Sequence, residues 1–122
     1  EEALEHAFRY YGLVKKMKTD CARIAKNTNF REEDIQRVKN HVFYKKHELY
    51  DGEIDYFHPS YQMAQSWQRL IEGRNIKNCD IVLLNHEFLE SILEENLNAE
   101  EAHRETEKIY NYFAALKELN LL

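Results

Sequence analysis

Apolar side chains recur at spacings of three and four along most of this chain, which predicts helices. Leu4, Ala7, Phe8, Tyr11, Val14, Met17, Cys21 and Ile24 form one stripe, so residues 3 to about 26 read as a helix, weakened slightly at Gly12. KNTNF breaks it, with Asn and Thr able to satisfy free backbone donors. REEDIQRVKNHVFY resumes the spacing through Ile35, Val38 and Val42, and its acidic start suits the positive end of a helix. Residues 44 to 59 are the least regular part, where the DG of YDGEIDYFHPS closes either a short hairpin or a structured loop. Ser60 is placed to cap a helix carrying Met63, Trp67, Leu70 and Ile71, and Gly73 to end it. Asp80 is placed to cap DIVLLNHEFLESILEENL, where Ile81, Leu84, Phe88 and Ile92 form a stripe that Leu83, Leu89 and Leu93 widen. So broad a stripe predicts a central helix. Asn98 and Glu101 have capping-box spacing for a last helix through Ala102, Ile109, Phe113 and Leu116. The pattern therefore predicts an all-α single domain over residues 1–122, of about five helices with one irregular central segment.

Composition agrees with that picture. Three glycines and one proline in 122 residues leave few breakers, so long helices are expected. A chain of this length buries a core without metal or disulfide support. Its two cysteines, Cys21 and Cys79, are too few for a disulfide framework and read as small core residues. No apolar run approaches the length of a membrane span, so no membrane contact is expected. A net charge of −5 argues against broad electrostatic attachment to nucleic acid. Local grip is still open, because Lys15, Lys16 and Lys18 cluster, as do Arg37, Lys39, Lys45 and Lys46.

The candidate chemistry lies in polar residues on stripes that otherwise look buried. Positions four apart share a helix face, which pairs His86 with Glu90, His103 with Glu107, and Gln65 with Arg69. His41 ends a helix in NHVF. LLNHEFLE has the first half of the zincin motif, but Glu90 stands where the second histidine is needed. A two-helix metal site of His86, Glu90, His103 and Glu107 stays geometrically open, though no cofactor motif is present. Acid–base chemistry uses the same residues differently. Neutral histidine accepts a proton near neutral pH and its cation donates one. His41, His86 and His103 are the candidates for base and acid, with the carboxylates Glu87 and Glu90 to orient a ring or to act as the base. Arg69 and Gln65 would hold a phosphate, with Asn85 as a further donor and Tyr110 beside the substrate. A lone histidine on an apolar helix is ordinarily a core or boundary residue, and His6, His47 and His58 are read that way.

Four blocks carry a family resemblance: RIAKNTNFREEDIQRVKNHVF, YFHPSYQMAQSWQRLIEG, DIVLLNHEFLE and AHRETEKIYNY. Together they resemble the C-terminal toxin domains of bacterial polymorphic toxins. These domains are carried by LXG-type secreted proteins, contact-dependent inhibition proteins and some phage minor head proteins. The resemblance spans roughly residues 3 to 116 and falls on His41, Phe43, Gln65, Trp67, Arg69, His86, Glu87, His103, Tyr110 and Asn111. The family has Asp where this chain has His58. The resemblance implies an interbacterial toxin, secreted as the tail of a larger effector and acting in the target cytoplasm. It further implies a cognate immunity protein as partner and RNA as substrate. The sequence reading is therefore a metal-independent, cofactor-free ribonuclease. Its rivals are a metal-dependent phosphoester hydrolase using the same side chains and a non-enzymatic helical interaction module.

Overall fold

A computed structural model of the chain describes residues 2–45 and 60–122, apart from the side chain of Leu4. Among the described residues there are seven α-helices and no strand. They are α1 (Glu2–Lys16), α2 (Asp20–Thr28), α3 (Glu32–Lys39), α4 (Tyr61–Glu72), α5 (Asn78–Leu93), α6 (Ala99–Glu107) and α7 (Tyr112–Glu118). A π-helical turn, Asn40–Lys45, continues α3. The all-α expectation holds. The helix number exceeds five because two long apolar stripes are each broken once.

The first break falls at residues 17–19, inside the stripe that runs from Leu4 to Ile24. The Met17 carbonyl leaves the helical ladder and accepts from Lys39 Nζ at 2.9 Å. The second break follows Glu107. Asn111 is extended, and its side chain accepts from Ala114 N at 2.8 Å, starting α7 afresh. The stripe continues across both breaks because short helices turning around one core keep the same apolar spacing. The expected inward positions Ile109 and Phe113 are 67% and 62% exposed, since the break turns them outward.

Several predicted caps are present. Ser60 accepts from Met63 N at 3.2 Å, and Asn98 from Glu101 N at 2.8 Å. Gly73 ends α4 at φ +71, a left-handed conformation that suits glycine, and its N–H donates to Arg69 O. Asp80 differs from expectation. It lies within the first turn of α5 rather than before it, and its carboxylate accepts from Lys77 N at 2.9 Å. The helix also ends at Leu93, short of Leu97. The predicted DG hairpin or loop, with His47 and His58, lies outside the described residues.

α5 is the central helix, packed against α3, α4, α6, α7 and the π-helical turn. Its buried face keeps Leu83 and Leu84 of the predicted stripe, with Ile81 and Phe88 partly buried against the core, but also takes in polar residues. Ile92 is 36% exposed, while Asp80, His86, Glu87, Glu90 and Ser91 are buried beside Leu83 and Leu84. The main apolar core lies between α1, α2, α3 and α4, around Tyr11, Ile24, Val38, Phe43, Trp67 and Leu70. Phe43 packs edge-on against Trp67 and Tyr11, at 5.1 and 4.7 Å between ring centroids. Within this core sits a buried ion pair. Asp20 Oδ1 accepts from Lys39 Nζ at 2.9 Å, and Asp20 Oδ2 from Trp67 Nε1 at 3.2 Å. One carboxylate therefore ties α2, α3 and α4 together.

Removing one partner of a buried pair leaves the other charge stranded, at a cost of about 3–5 kcal/mol. Asp20→Ala is thus expected to lower unfolding stability in urea by about that amount. The double variant Asp20→Ala, Lys39→Met is expected to recover most of the loss. A double variant as unstable as the single one would show that the pair is not what the fold depends on here.

Candidate functional site

The polar residues of α5 converge with His41 and His103 on a single carboxylate. His41 leads the π-helical turn after α3, His86 and Glu90 lie one turn apart on α5, and His103 projects from α6. His41 Nε2 lies 2.9 Å from Glu90 Oε1, and His103 Nδ1 lies 2.8 Å from Glu90 Oε2. One imidazole therefore donates to each oxygen of the same carboxylate. His86 packs edge-on against His103, with ring centroids 5.3 Å apart. Its Nδ1 lies 2.7 Å from the Tyr110 carbonyl, which only accepts, so Nδ1 carries a proton and Nε2 faces Glu90 Oε2 at 3.9 Å.

Acidic groups dominate the surroundings. Glu87 and Glu94 share the α5 face with Glu90 and bring Glu87 Oε1 and Glu94 Oε2 to 3.5 and 3.7 Å from His41 Nε2. Lys45 Nζ lies 3.3 Å from Glu94 Oε1. Among the described residues no hydrogen-bond partner reaches His41 Nδ1, although that atom is buried. Burial is uneven across the group. The His41, His86, Glu87 and Glu90 side chains are at most 4% exposed, whereas those of His103 and Glu107 are 49% and 39% exposed. His103 Nε2 lies 3.4 Å from Glu107 Oε2, at the solvent edge.

The predicted site residues therefore divide into two groups. His41, His86, Glu87 and His103 come together, and Tyr110 joins them through its backbone carbonyl. Arg69 and Gln65 do not. The Arg69 guanidinium is bidentate on Asp80, with both contacts at 2.8 Å, and its Nη2 also approaches Ser66 Oγ at 3.4 Å. Asp80 lies ten residues before Glu90 on the same helix, about 15 Å along its axis. Gln65 borders a small cavity of about 80 Å³ with Arg69, Leu116 and Leu121. Asn85 turns back on its own helix, with Nδ2 donating to Ile81 O at 3.2 Å. Arg69, Gln65 and Asn85 thus act in the packing of α4 and α5 and do not line the histidine cluster. Glu94 is the member of this acidic face that the pattern missed, and Glu90 has a larger share in it than the pattern suggested. Their spacing from Glu87, three and seven residues, is the signal that marks one face.

The chemistry available follows from His103. A buried carboxylate on Nδ1 orients the ring and sets Nε2 at the solvent edge, 3.4 Å from Glu107 Oε2, an arrangement in which an imidazole can exchange protons with solvent. Neither cysteine competes as nucleophile. Burial and the nearby Asp20 carboxylate push the Cys21 thiol up to about 12, and burial with Asp80 raises Cys79. Comparison of the chain with protein-family models, curated proteins and solved structures finds no match.

The Arg69–Asp80 pair yields a prediction in acid. Burial pushes the Asp80 carboxyl up, but the Arg69 and Lys77 N–H donors outweigh it and hold its pKa below the ordinary value of 3.8. Its contribution to stability is complete above 3.8 and is lost as pH falls through the depressed value. Asp80→Asn should lower the thermal midpoint at neutral pH, and the gap to the unaltered chain should close in acid below 3.8. Calorimetry across that range measures the gap; one that widens as the pH falls contradicts the assignment.

Proposed function

We propose that this chain is an interbacterial toxin domain that cleaves RNA by general acid–base chemistry at His103, without a cofactor. The toxin reading rests on the four sequence blocks that resemble polymorphic toxin tails. The observation that supports the chemistry is Glu90 shared between His41 and His103, with only His103 open to solvent.

In this reading the RNA phosphodiester lies against the edge of α6. His103 Nε2 takes the proton of the 2′-hydroxyl as that oxygen attacks phosphorus, and the imidazolium formed gives the proton to the 5′-oxygen as the P–O5′ bond breaks, leaving a 2′,3′-cyclic phosphate and a free 5′-hydroxyl. Glu90 stabilises the imidazolium through Nδ1, as a buried carboxylate does for a catalytic histidine. His41 holds the other oxygen of Glu90, so it acts as a positioning residue and not as the base. His86 packs against the His103 ring and fixes its orientation. Glu87 contributes negative potential beside His41. An acidic protein can still hold RNA locally, since Lys45, beside Glu94, is 58% exposed and reachable by a phosphate. A cognate immunity protein covering the His103 edge, and delivery on a larger secreted effector into the target cytoplasm, complete the proposal.

Inducible cytosolic expression followed by electrophoresis of total RNA is the direct test. Discrete RNA fragments and arrested growth are expected. His103→Ala should lower cleavage by about 10²–10⁴-fold, the usual worth of a positioned acid–base group, in a chain that still folds but with a thermal midpoint lowered by the loss of one donor to Glu90. Glu90→Gln should be impaired as well, because an amide cannot balance an imidazolium. Intact RNA in arrested cells would direct the toxin to another target. Unimpeded growth would favour a helical interaction module.

A further inference from the structure

One ligand-type atom from each of His86, Glu90 and His103 lies within 4.8 Å of the others. Two separations are known individually: His103 Nδ1 to Glu90 Oε2 at 2.8 Å and His86 Nε2 to Glu90 Oε2 at 3.9 Å. Tetrahedral zinc with bonds of about 2.0–2.1 Å sets its ligands about 3.3 Å apart, and the two separations bracket that value. Small side-chain shifts suffice to close the site.

Each of these three groups already has the outer partner that a metal ligand ordinarily has. His86 donates Nδ1–H to the Tyr110 carbonyl, which leaves the Nε2 lone pair aimed at the site. Glu90 is held at Oε1 by His41, leaving Oε2 for the ion. His103 has the Glu107 carboxylate 3.4 Å from its outer nitrogen. A second grouping, His41 with Glu87 and Glu90, also converges. All three of its residues are buried. The first grouping is the one with a solvent-facing ligand, His103. Two histidines and a glutamate with an open position form a ligand set suited to zinc.

We propose that this cluster binds one zinc-class divalent ion through His86 Nε2, Glu90 Oε2 and His103 Nδ1, and that the ion switches the acid–base group off. The second half rests on the nuclease reading; the first half does not. When zinc takes the Nδ1 lone pair, the single proton of the neutral His103 ring passes through solvent from Nδ1 to Nε2. There it faces Glu107. The lone pair that would have received the 2′-hydroxyl proton is gone, so bound zinc and cleavage exclude each other.

The test is a calorimetric titration of the chain with zinc chloride, repeated on His103→Ala and Glu107→Gln. One equivalent is expected, with a thermal midpoint that rises with zinc concentration. His103→Ala, a change at a half-exposed position, should weaken binding by at least about tenfold, and Glu107→Gln by less. Absence of a stoichiometric site at sub-millimolar zinc, or undiminished binding by His103→Ala, overturns the proposal. Cleavage assays then separate the two halves. Cleavage that persists in EDTA and is stopped by zinc at the midpoint of the titration supports both. Cleavage that EDTA abolishes and zinc restores overturns the switch and makes the ion the source of the chemistry. Stoichiometric zinc with RNA intact in either condition keeps the ion site and removes the nuclease reading.

Discussion

Glu90 sits in the last turn of α5 with its carboxylate out of water, and a buried carboxylate has to be met by donors. The donors here come from two other elements, His41 from the π-helical turn and His103 from α6. Each takes one oxygen, so the two elements approach from opposite sides of the group. The demand is directional, since a hydrogen bond tolerates little error in angle. The packing of α6 on α5, and of the turn on α5, is therefore fixed more closely than apolar contact alone would fix it.

Two further centres of the same kind brace the rest of the bundle. Asp20 joins α2, α3 and α4 through Lys39 and Trp67. Arg69 joins α4 to the first turn of α5. Helix α5 is thus held by one ionic group near its start and by another near its end. Among the three carboxylates, Glu90 has the most exposed partner, His103 at 49%, against 17% for Arg69 and 5% for Lys39.

The helical class was legible because the three-and-four spacing is carried by many residues, and a few irregular ones do not erase it. Ser60, Gly73 and Asn98 were legible as punctuation, since each does its work through its own side chain or backbone freedom. The breaks at residues 17–19 and after Glu107 were not. A stripe such as Leu4 to Ile24 reads the same whether one helix carries it or two helices turn about a shared core. At the site, His41, His86 and His103 stood out as polar residues among apolar ones. Helical spacing also offered the meeting of His86 and His103 with Glu90; that His41, 49 residues before Glu90, joins the same carboxylate was not legible. Arg69 misled for a related reason. A cation beside a glutamine looks free in sequence, while its true partner, Asp80, lies eleven residues on, across a turn.

The π-helical turn at Asn40–Lys45 has a meaning beyond the placement of His41. Such a turn holds one residue more than an α-helical turn, so it is in effect a single-residue insertion absorbed without a loop. One residue is about 100° of helical phase. Val38 on one side and Phe43 on the other both reach the apolar core, while His41 between them reaches the carboxylates. A plain α-helix could not keep both registers. The extra residue thus lets one short segment serve two neighbours whose directions differ, which ties the length of the chain here as tightly as its composition.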